Sequence, residues 1–344
     1  MKYVLLGNTG LIVSRLAFGA MTFTAGNKDI GSIYKVGAAL ADQLVGRSLD
    51  VGINFFDTAD AYAGGESEAL LGAALKPHRS RVVIASKVGF RSGSPLTQSG
   101  LSRRHILWSI DQSLKRLGTD WLDVYIAHRE DPDTPLEETL EALDAVVRAG
   151  KVRYLGYSNW SAWKAAAALE IQKANGLAPF THGQMHYSLL GRDVERDVIP
   201  MMRRYGLGLT VWSPLASGFL SGKYTRETLS DPDNRISGFD LFPFDKDKGF
   251  KLVERVRAIA AKHDASVAQV AIAWLLAKNA VTSVLVGASK PHQLDDNLAA
   301  VDLKLAEADI AELDAATPLA PVYPNWFIEN LTDRPTAQAL GAMK

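Results

Sequence analysis

Asp57, Tyr62, Lys87 and His128 supply a carboxylate, a phenol, an ammonium and an imidazole, and all four stand at or just beyond the ends of short apolar runs. Ile53-Asn54-Phe55-Phe56 precedes Asp57, residues 82–86 precede Lys87, residues 122–127 precede His128, and Tyr62 follows Asp57 in the next loop. The runs read as β-strands. If those strands are parallel, their C-terminal ends share one face and the four side chains converge there. Reducing a carbonyl leaves an alkoxide that must be protonated as it forms. A phenol can supply that proton, although a reference pKa of ~10 makes it a sluggish acid near neutrality. A neighbouring ammonium favours the phenolate and lowers that pKa. Asp57 would hold Lys87 charged and in place, partly offsetting its effect on the phenol, and His128 would donate to or orient the substrate oxygen. Taken singly, each residue has a plainer reading: a capping Asp, a solvated Lys, a surface Tyr, a structural His. Only the joint arrangement points to chemistry.

The elements that must position these residues alternate along the chain. Tyr3-Val4-Leu5-Leu6 and Leu11-Ile12-Val13, joined across Gly7-Asn8-Thr9-Gly10, read as a β-hairpin. Eight candidate strands follow, at 16–19, 54–56, 82–86, 122–127, 152–157, 182–186, 208–212 and 282–286. Helical periodicity fills the gaps. Ser102 is expected to cap a helix whose face carries Ile106, Ile110, Leu114 and Leu117 and which stops at Gly118. Thr134-Pro135-Leu136-Glu137 predicts an N-cap at Thr134, Pro135 at the first helical position and a capping-box acid at Glu137, with Gly150 as the stop. Val267, Val270, Ala271, Trp274 and Leu275 mark another face.

This pattern predicts a single α/β domain over residues 1–344, a (β/α)₈ TIM barrel with its core at about 6–317 and a tail at 318–344. A barrel needs about 250 residues. The surplus goes to the hairpin, a long loop from 213 to about 248, an extra helix before the last strand, and the tail. A doubly wound fold fits less well, because no G-x-G-x-x-G follows the first strand.

Composition removes several classes. Lys plus Arg and Asp plus Glu are 38 each, so no net field favours nucleic acid or an anionic membrane. With no cysteine there is no disulfide framework, thiol nucleophile or thiolate metal site, in keeping with a reducing, cytoplasmic setting. The N-terminal apolar stretch is short for a signal peptide, and no segment reaches ~18 uninterrupted apolar residues. His182-x-x-x-His186 has metal-ligand spacing but lies on a strand with no acid completing it, so no metal is expected. Gly156-x-Ser158-x-Trp160 lacks the second glycine of a nucleophile elbow.

The stretch from Gly52 to Tyr62, Gly-Ile-Asn-Phe-Phe-Asp-Thr-Ala-Asp-Ala-Tyr, closely resembles the signature of the aldo-keto reductases. Ser86-Lys87, Ala127-His128, Gly156-Tyr157-Ser158-Asn159 and Trp212-Ser213-Pro214-Leu215 resemble further motifs of that family, in the family's order. The resemblance runs from about Leu6 to about Leu305. It implies a (β/α)₈ barrel, an extended nicotinamide dinucleotide held without a Rossmann motif, and Tyr62 as general acid in a tetrad with Asp57, Lys87 and His128.

The resemblance also implies a cofactor site. Ser158, Asn159 and Gln184 would hydrogen-bond the nicotinamide carboxamide, for which their donors and acceptors are suited. Trp212 would stack on the ring, with Ala20, Met21 and Asp57 nearby. Ser213, Pro214, Leu215 and Ser217 would face the pyrophosphate, with Lys223 and Arg235 adding positive charge. Ser289 and Lys290 would read a 2′-phosphate near a helix start, and Asp296 and Asn297 would reach the adenine. Gly287 and Gln293 stand where many relatives carry Lys and Arg, which puts this chain in another branch, one that still implies NADP (NADPH) over NAD.

The residues at 212–224 and 287–297 are also similar to the β-subunits of voltage-gated potassium channels, which bind NADP and act as regulatory partners. Those subunits carry Asn where this chain keeps His128, which favours a working reductase. Reduction of an aldehyde or ketone by NADPH is therefore the expectation. The alternatives are a regulatory protein with little turnover, or the same chemistry run as alcohol oxidation. The partner would be a small carbonyl compound walled by Met21, Phe23, Phe90, Trp160 and the tail aromatics Tyr323, Trp326 and Phe327. Its identity and the oligomeric state stay open.

Overall fold

The computed structural model describes residues 1–232, 234–238, 242–331 and 333–341. Parts of the expected long loop (233 and 239–241) and of the tail (332 and 342–344) lie outside the described residues. Strands β1 (Tyr3–Leu5) and β2 (Ile12–Ser14) form the antiparallel hairpin. Eight parallel strands follow: β3 (Leu16–Gly19), β4 (Phe55–Asp57), β5 (Val83–Val88), β6 (Leu122–Ala127), β7 (Val152–Ser158), β8 (Phe180–His186), β9 (Gly208–Trp212) and β10 (Val281–Val286). They close into a barrel in the order β10-β3-β4-β5-β6-β7-β8-β9. This is the (β/α)₈ architecture, and the expected strands match to within a residue or two.

The helices are α1 (Ala38–Asp50), α2 (Glu66–Leu75), α3 (Arg103–Leu117), α4 (Leu136–Arg148), α5 (Ala162–Ala174), α6 (Val198–Tyr205), α7 (Arg235–Gly238), α8 (Lys246–Lys262), α9 (Val267–Ala277), α10 (Pro291–Ala299), α11 (Glu307–Ala316), α12 (Asn325–Asn330) and α13 (Arg334–Ala339). None of the described helices is long and apolar enough to cross a membrane.

Strands buried on both faces explain the near-continuous apolar runs. On β6, Val124 and Ile126 join Ala17, Phe55, Val83, Ala85 and Leu285 inside the barrel, while Leu122, Tyr125 and Ala127 pack in the larger core with the helices. The hairpin closes the N-terminal end. Leu6 and Val13 belong to the barrel-interior cluster, and Asn8 N–H donates to the Gly206 carbonyl at 2.9 Å. Gly7 has φ +58°, and a Cβ there would stand 2.3 Å from the Thr181 carbonyl oxygen, so only glycine fits this plug. Asn54 ties the plug down, accepting from Ser14 N–H at 2.7 Å and donating to the Ile12 carbonyl at 3.0 Å. The hairpin thus covers the N-terminal end, opposite the strand ends that carry Asp57, Lys87 and His128.

Ser102 caps α3 by accepting from His105 N–H, and Gly118 ends it in left-handed conformation. The expected cap of α4 is corrected. Pro135 is the N-cap, with no side-chain capping bond, because the Thr134 hydroxyl donates to Asp131 Oδ2 at 2.7 Å instead. Local spacing cannot foresee a competing acceptor three residues upstream.

Candidate active site

Strand register assembles the candidate site. Asp57 pairs across β4–β5 with Ala85, which places Lys87 two residues further along, beside the end of β4. Lys87 is fully buried. Its Nζ donates to Asp57 Oδ1 at 2.5 Å, to the Thr58 carbonyl at 2.7 Å and to Tyr62 Oη at 3.2 Å. The other oxygen of Asp57 accepts from Gln184 Nε2 at 2.8 Å, so both carboxylate oxygens are fixed. The His128 ring meets the Tyr62 ring edge-on at 5.7 Å and the Phe90 ring edge-on at 4.7 Å. The four residues named from the sequence are thus in one place, at the end of the barrel opposite the hairpin.

Their electrostatics differ in part from expectation. Burial disfavours charge on Lys87, but Asp57 and Tyr62 outweigh it and its pKa is raised, so it stays an ammonium. For Tyr62, burial is the largest influence and Asp57 reinforces it, so the pKa rises despite Lys87. The lowered phenol pKa is therefore corrected: the phenol keeps its proton. His128 is held well below its usual pKa by burial, then by Lys87 and Arg129, and its Nδ1 is buried without a partner. It is a neutral imidazole.

Next to these groups lies a set of amides and hydroxyls. Asn159, in left-handed conformation (φ 58°), donates from Nδ2 to the His128 carbonyl at 3.1 Å and to Ser158 Oγ at 2.9 Å. Its Oδ1 accepts from Trp212 Nε1 at 3.0 Å, and Ser158 Oγ donates to the Gln184 carbonyl at 2.7 Å. Trp212 also packs near His186 and Phe242. The loop after β9 places Ser213, Ala216 and Ser217 at positive φ (52°, 45° and 55°). Three such non-glycine residues within five positions mark a strained turn of the kind found at ligand sites. Pro214 and Leu215 lie within it, the Leu215 carbonyl accepting from Leu220 N–H at 3.1 Å.

Beyond this turn cations gather. Lys223 is depressed in pKa by burial and by Arg235, Lys35 and Lys290. Arg235 reaches Met21 Sδ at 3.9 Å and leaves its buried Nε unpartnered. A group of cations that repel one another, with a buried donor unused, suits a polyanion. Lys35 carries no local signal in the sequence; only the fold brings it to Lys223.

Other expected contacts are used internally. Both Asp296 oxygens are bonded at the start of α9, by Ser266 Oγ at 2.9 Å and Gln269 Nε2 at 2.8 Å. Ser266 and Gln269 form a capping box there, so Asp296 ties the start of α9 to α10. Asn297 Nδ2 donates to the Gly287 carbonyl at 3.4 Å, and Gln293 Oε1 accepts from Ser289 N–H and Oγ, both at 3.3 Å. Lys290 caps α10 and is exposed. Ala20 is buried, its N–H donating to the Asp57 carbonyl at 2.8 Å.

The residues expected to wall the substrate differ in their exposure. Phe23 is wholly buried against Phe18, and Trp160 is buried among Tyr157 and Phe180, because both rings complete the core beneath their loops. Tyr323, Trp326 and Phe327 pack on one another in the exposed tail. Phe90 remains, 40 % exposed, with the Arg129 guanidinium over its ring at 5.3 Å. His182 and His186 each pack against a glycine, Gly156 and Gly191, as structural histidines do.

The aldo/keto reductase family model matches residues 15–318. The chain is 37% identical over 310 residues to "Probable voltage-gated potassium channel subunit beta" of Oryza sativa subsp. japonica, covering 88% of this chain and 92% of that protein. It is 34% identical over 326 residues to "Probable aldo-keto reductase 1" of Glycine max, covering 93% and 90%. It is 35% identical over 353 residues to "Versiconal hemiacetal acetate reductase" of Aspergillus parasiticus, covering 94% and 99%.

Proposed function

The chain belongs to the aldo/keto reductase family, and from that premise we propose that it reduces an aldehyde or ketone to an alcohol with NADPH, Tyr62 acting as general acid. The observation that carries the reading is the buried Lys87 ammonium, bonded at once to Asp57 and to the Tyr62 hydroxyl. When bound, the nicotinamide supplies the hydride. Tyr62, neutral and proton-loaded, donates its Oη proton to the oxygen of the substrate as negative charge develops there. The phenolate left behind stands 3.2 Å from the Lys87 ammonium, the distance at which that charge is offset. Asp57, held from its other side by Gln184, keeps Lys87 from swinging away. His128, neutral, offers a ring N–H to the same oxygen and fixes its direction.

Ser158, Asn159 and Gln184 suit the carboxamide of the cofactor, and Trp212 suits its ring. Lys223, Arg235 and Lys290, whose mutual repulsion an anion would relieve, favour the phosphate-bearing NADPH over NADH. The part-exposed Phe90 ring, edge-on to His128 and under the Arg129 guanidinium, suits an apolar or aromatic carbonyl compound.

The test is loss of NADPH absorbance with a panel of aldehydes and ketones, wild type against Tyr62→Phe. We expect the variant to lose about 10²–10⁴-fold in kcat while NADPH binding, followed by fluorescence, is unchanged. Equal turnover by both proteins would remove Tyr62 from the chemistry. A regulatory role is the second reading, favoured by the similarity to the rice channel subunit. It predicts NADPH binding with no turnover of any carbonyl.

A further inference from the structure

The Tyr62 phenol is carried by a turn of unusual backbone conformation. Ala63, Gly64 and Gly65 follow it with φ of 50°, 65° and 94°, all in the left-handed region. For Ala63, which has a Cβ, that conformation is uncommon and persists only where the surroundings impose it. The turn's own backbone bonds are long: Tyr62 N–H to the Ala59 carbonyl at 3.2 Å and Gly64 N–H to the Ala61 carbonyl at 3.4 Å. Glu66 closes the turn and opens α2, its N–H donating to the Tyr62 and Ala63 carbonyls. One oxygen of its side chain, Oε2, accepts from Thr24 Oγ1 at 2.8 Å, Ala25 N–H at 2.7 Å and Asn27 N–H at 3.1 Å. Burial works against charge on this carboxyl, but the bonds from residues 24–27 outweigh it and lower its pKa, so it accepts as a carboxylate. The loop after β3 that it grips has backbone bonds of its own, Thr24 N–H to the Val36 carbonyl at 2.9 Å and Phe23 N–H to the Ala20 carbonyl at 3.0 Å. Ser67, next on α2, donates to the Ala20 carbonyl at 2.7 Å and lies 2.8 Å from Thr58 Oγ1, so the helix stays attached without Glu66.

We propose that Glu66 is a positioning residue for Tyr62. By gripping the loop after β3, its carboxylate holds the left-handed turn in place and so keeps the phenol oxygen 3.2 Å from the Lys87 ammonium and the phenol ring edge-on to His128. Without that grip the turn relaxes toward backbone angles that alanine prefers, and the hydroxyl moves off the point where it meets the substrate oxygen. Reach decides the effect rather than charge. All three donors converge on one oxygen, which an amide of the same length also supplies, whereas an aspartate falls a methylene short. The inference rests on the reading of Tyr62 as proton donor.

The experiment is steady-state reduction of 4-nitrobenzaldehyde by the full chain with saturating NADPH. Glu66→Ala and Glu66→Asp should each lower kcat about tenfold or more, the scale of a small misplacement of a reacting group. KM for the aldehyde and the affinity for NADPH should change less than about threefold. Glu66→Gln should stay within about threefold of the wild type in kcat. In the Tyr62→Phe background, adding Glu66→Ala should cost less than about twofold, because no phenol is left to misplace. A general loosening of the barrel would instead lower both backgrounds alike. Melting curves establish that each variant folds; if Glu66→Ala does not, Glu66→Asp carries the same comparisons. An unchanged kcat in Glu66→Ala and Glu66→Asp, a loss in Glu66→Gln as large as theirs, or an equal loss with and without the Tyr62 hydroxyl overturns the proposal. Absence of turnover by the wild type with any aldehyde or ketone would sink the reductase reading itself and take the positioning role with it.

Discussion

At the scale of single residues, Lys87 shows how one buried cation organises its surroundings. Its three hydrogen bonds, to Asp57, Thr58 and Tyr62, use the whole ammonium. Removing it strands Asp57, which is 2% exposed and keeps only Gln184 as a partner. Lys87→Met should therefore cost about 3–5 kcal/mol in urea unfolding, the penalty of an uncompensated buried charge. A loss below about 1 kcal/mol would mean that Asp57 takes up a proton at little cost. The candidate tetrad was legible because Asp57, Lys87 and His128 end three strand-like runs and Tyr62 follows the first of them. The protonation state of Tyr62 was not. It depends on the balance of burial against an ammonium at 3.2 Å, and neither quantity is written in local spacing.

At the scale of elements, helix ends were legible where the cap is local and illegible where it is shared. Ser102 and Gly118 bracket α3 as their spacing implies. Thr134 failed as a cap because Asp131, which also accepts from Leu101 N–H at 2.6 Å, captured its hydroxyl. The start of α9 is a joint construction, with Ser266 capping Gln269 N–H while both side chains bond Asp296 on α10. Ser266→Ala should destabilise by about 1–2 kcal/mol, more than an isolated cap, since it also frees one oxygen of Asp296. Asp296→Ala should then add little to Ser266→Ala in a double-mutant cycle; full additivity would show the two contacts to be independent.

At the scale of the whole molecule, two buried groups bias stability in opposite directions with pH. His182, fully buried, is depressed to about 3, chiefly by burial, so the fold prefers it neutral. The stability it contributes is complete above its unfolded pKa of ~6.5 and is lost as pH falls toward the folded value. Asp60 is raised to about 7, so its contribution is complete below its unfolded pKa of ~3.9 and is lost as pH rises through about 7. Asp60→Asn should accordingly be the more stable protein above about pH 8, by up to about 4 kcal/mol, with the two urea midpoints converging near about pH 4. A constant offset at all pH values would instead indicate packing. The tail makes a separate prediction. Tyr323, Ile328 and Leu331 are exposed, and the tail aromatics pack on one another. Deleting residues 320–344 should leave the melting temperature within about 3 °C and reduce self-association, because it removes exposed apolar surface and little shared core. A large drop in melting temperature would show the tail to be part of the core.

Alternation of apolar runs and helical faces determined the barrel, because parallel strands buried on both sides leave a periodic record that needs no partner to be read. The same record placed Asp57, Lys87 and His128 at strand ends and Tyr62 in the loop after the first of them, and a parallel barrel has one such face. What only the tertiary structure decided was which side chains spend their polar atoms on one another. Asp296 is drawn to a helix cap, Phe23 and Trp160 to the core, Lys35 toward Lys223, and Asp60 to the hydroxyls behind Tyr62. These outcomes depend on distances between segments far apart in sequence, and such distances exist only once the barrel has closed.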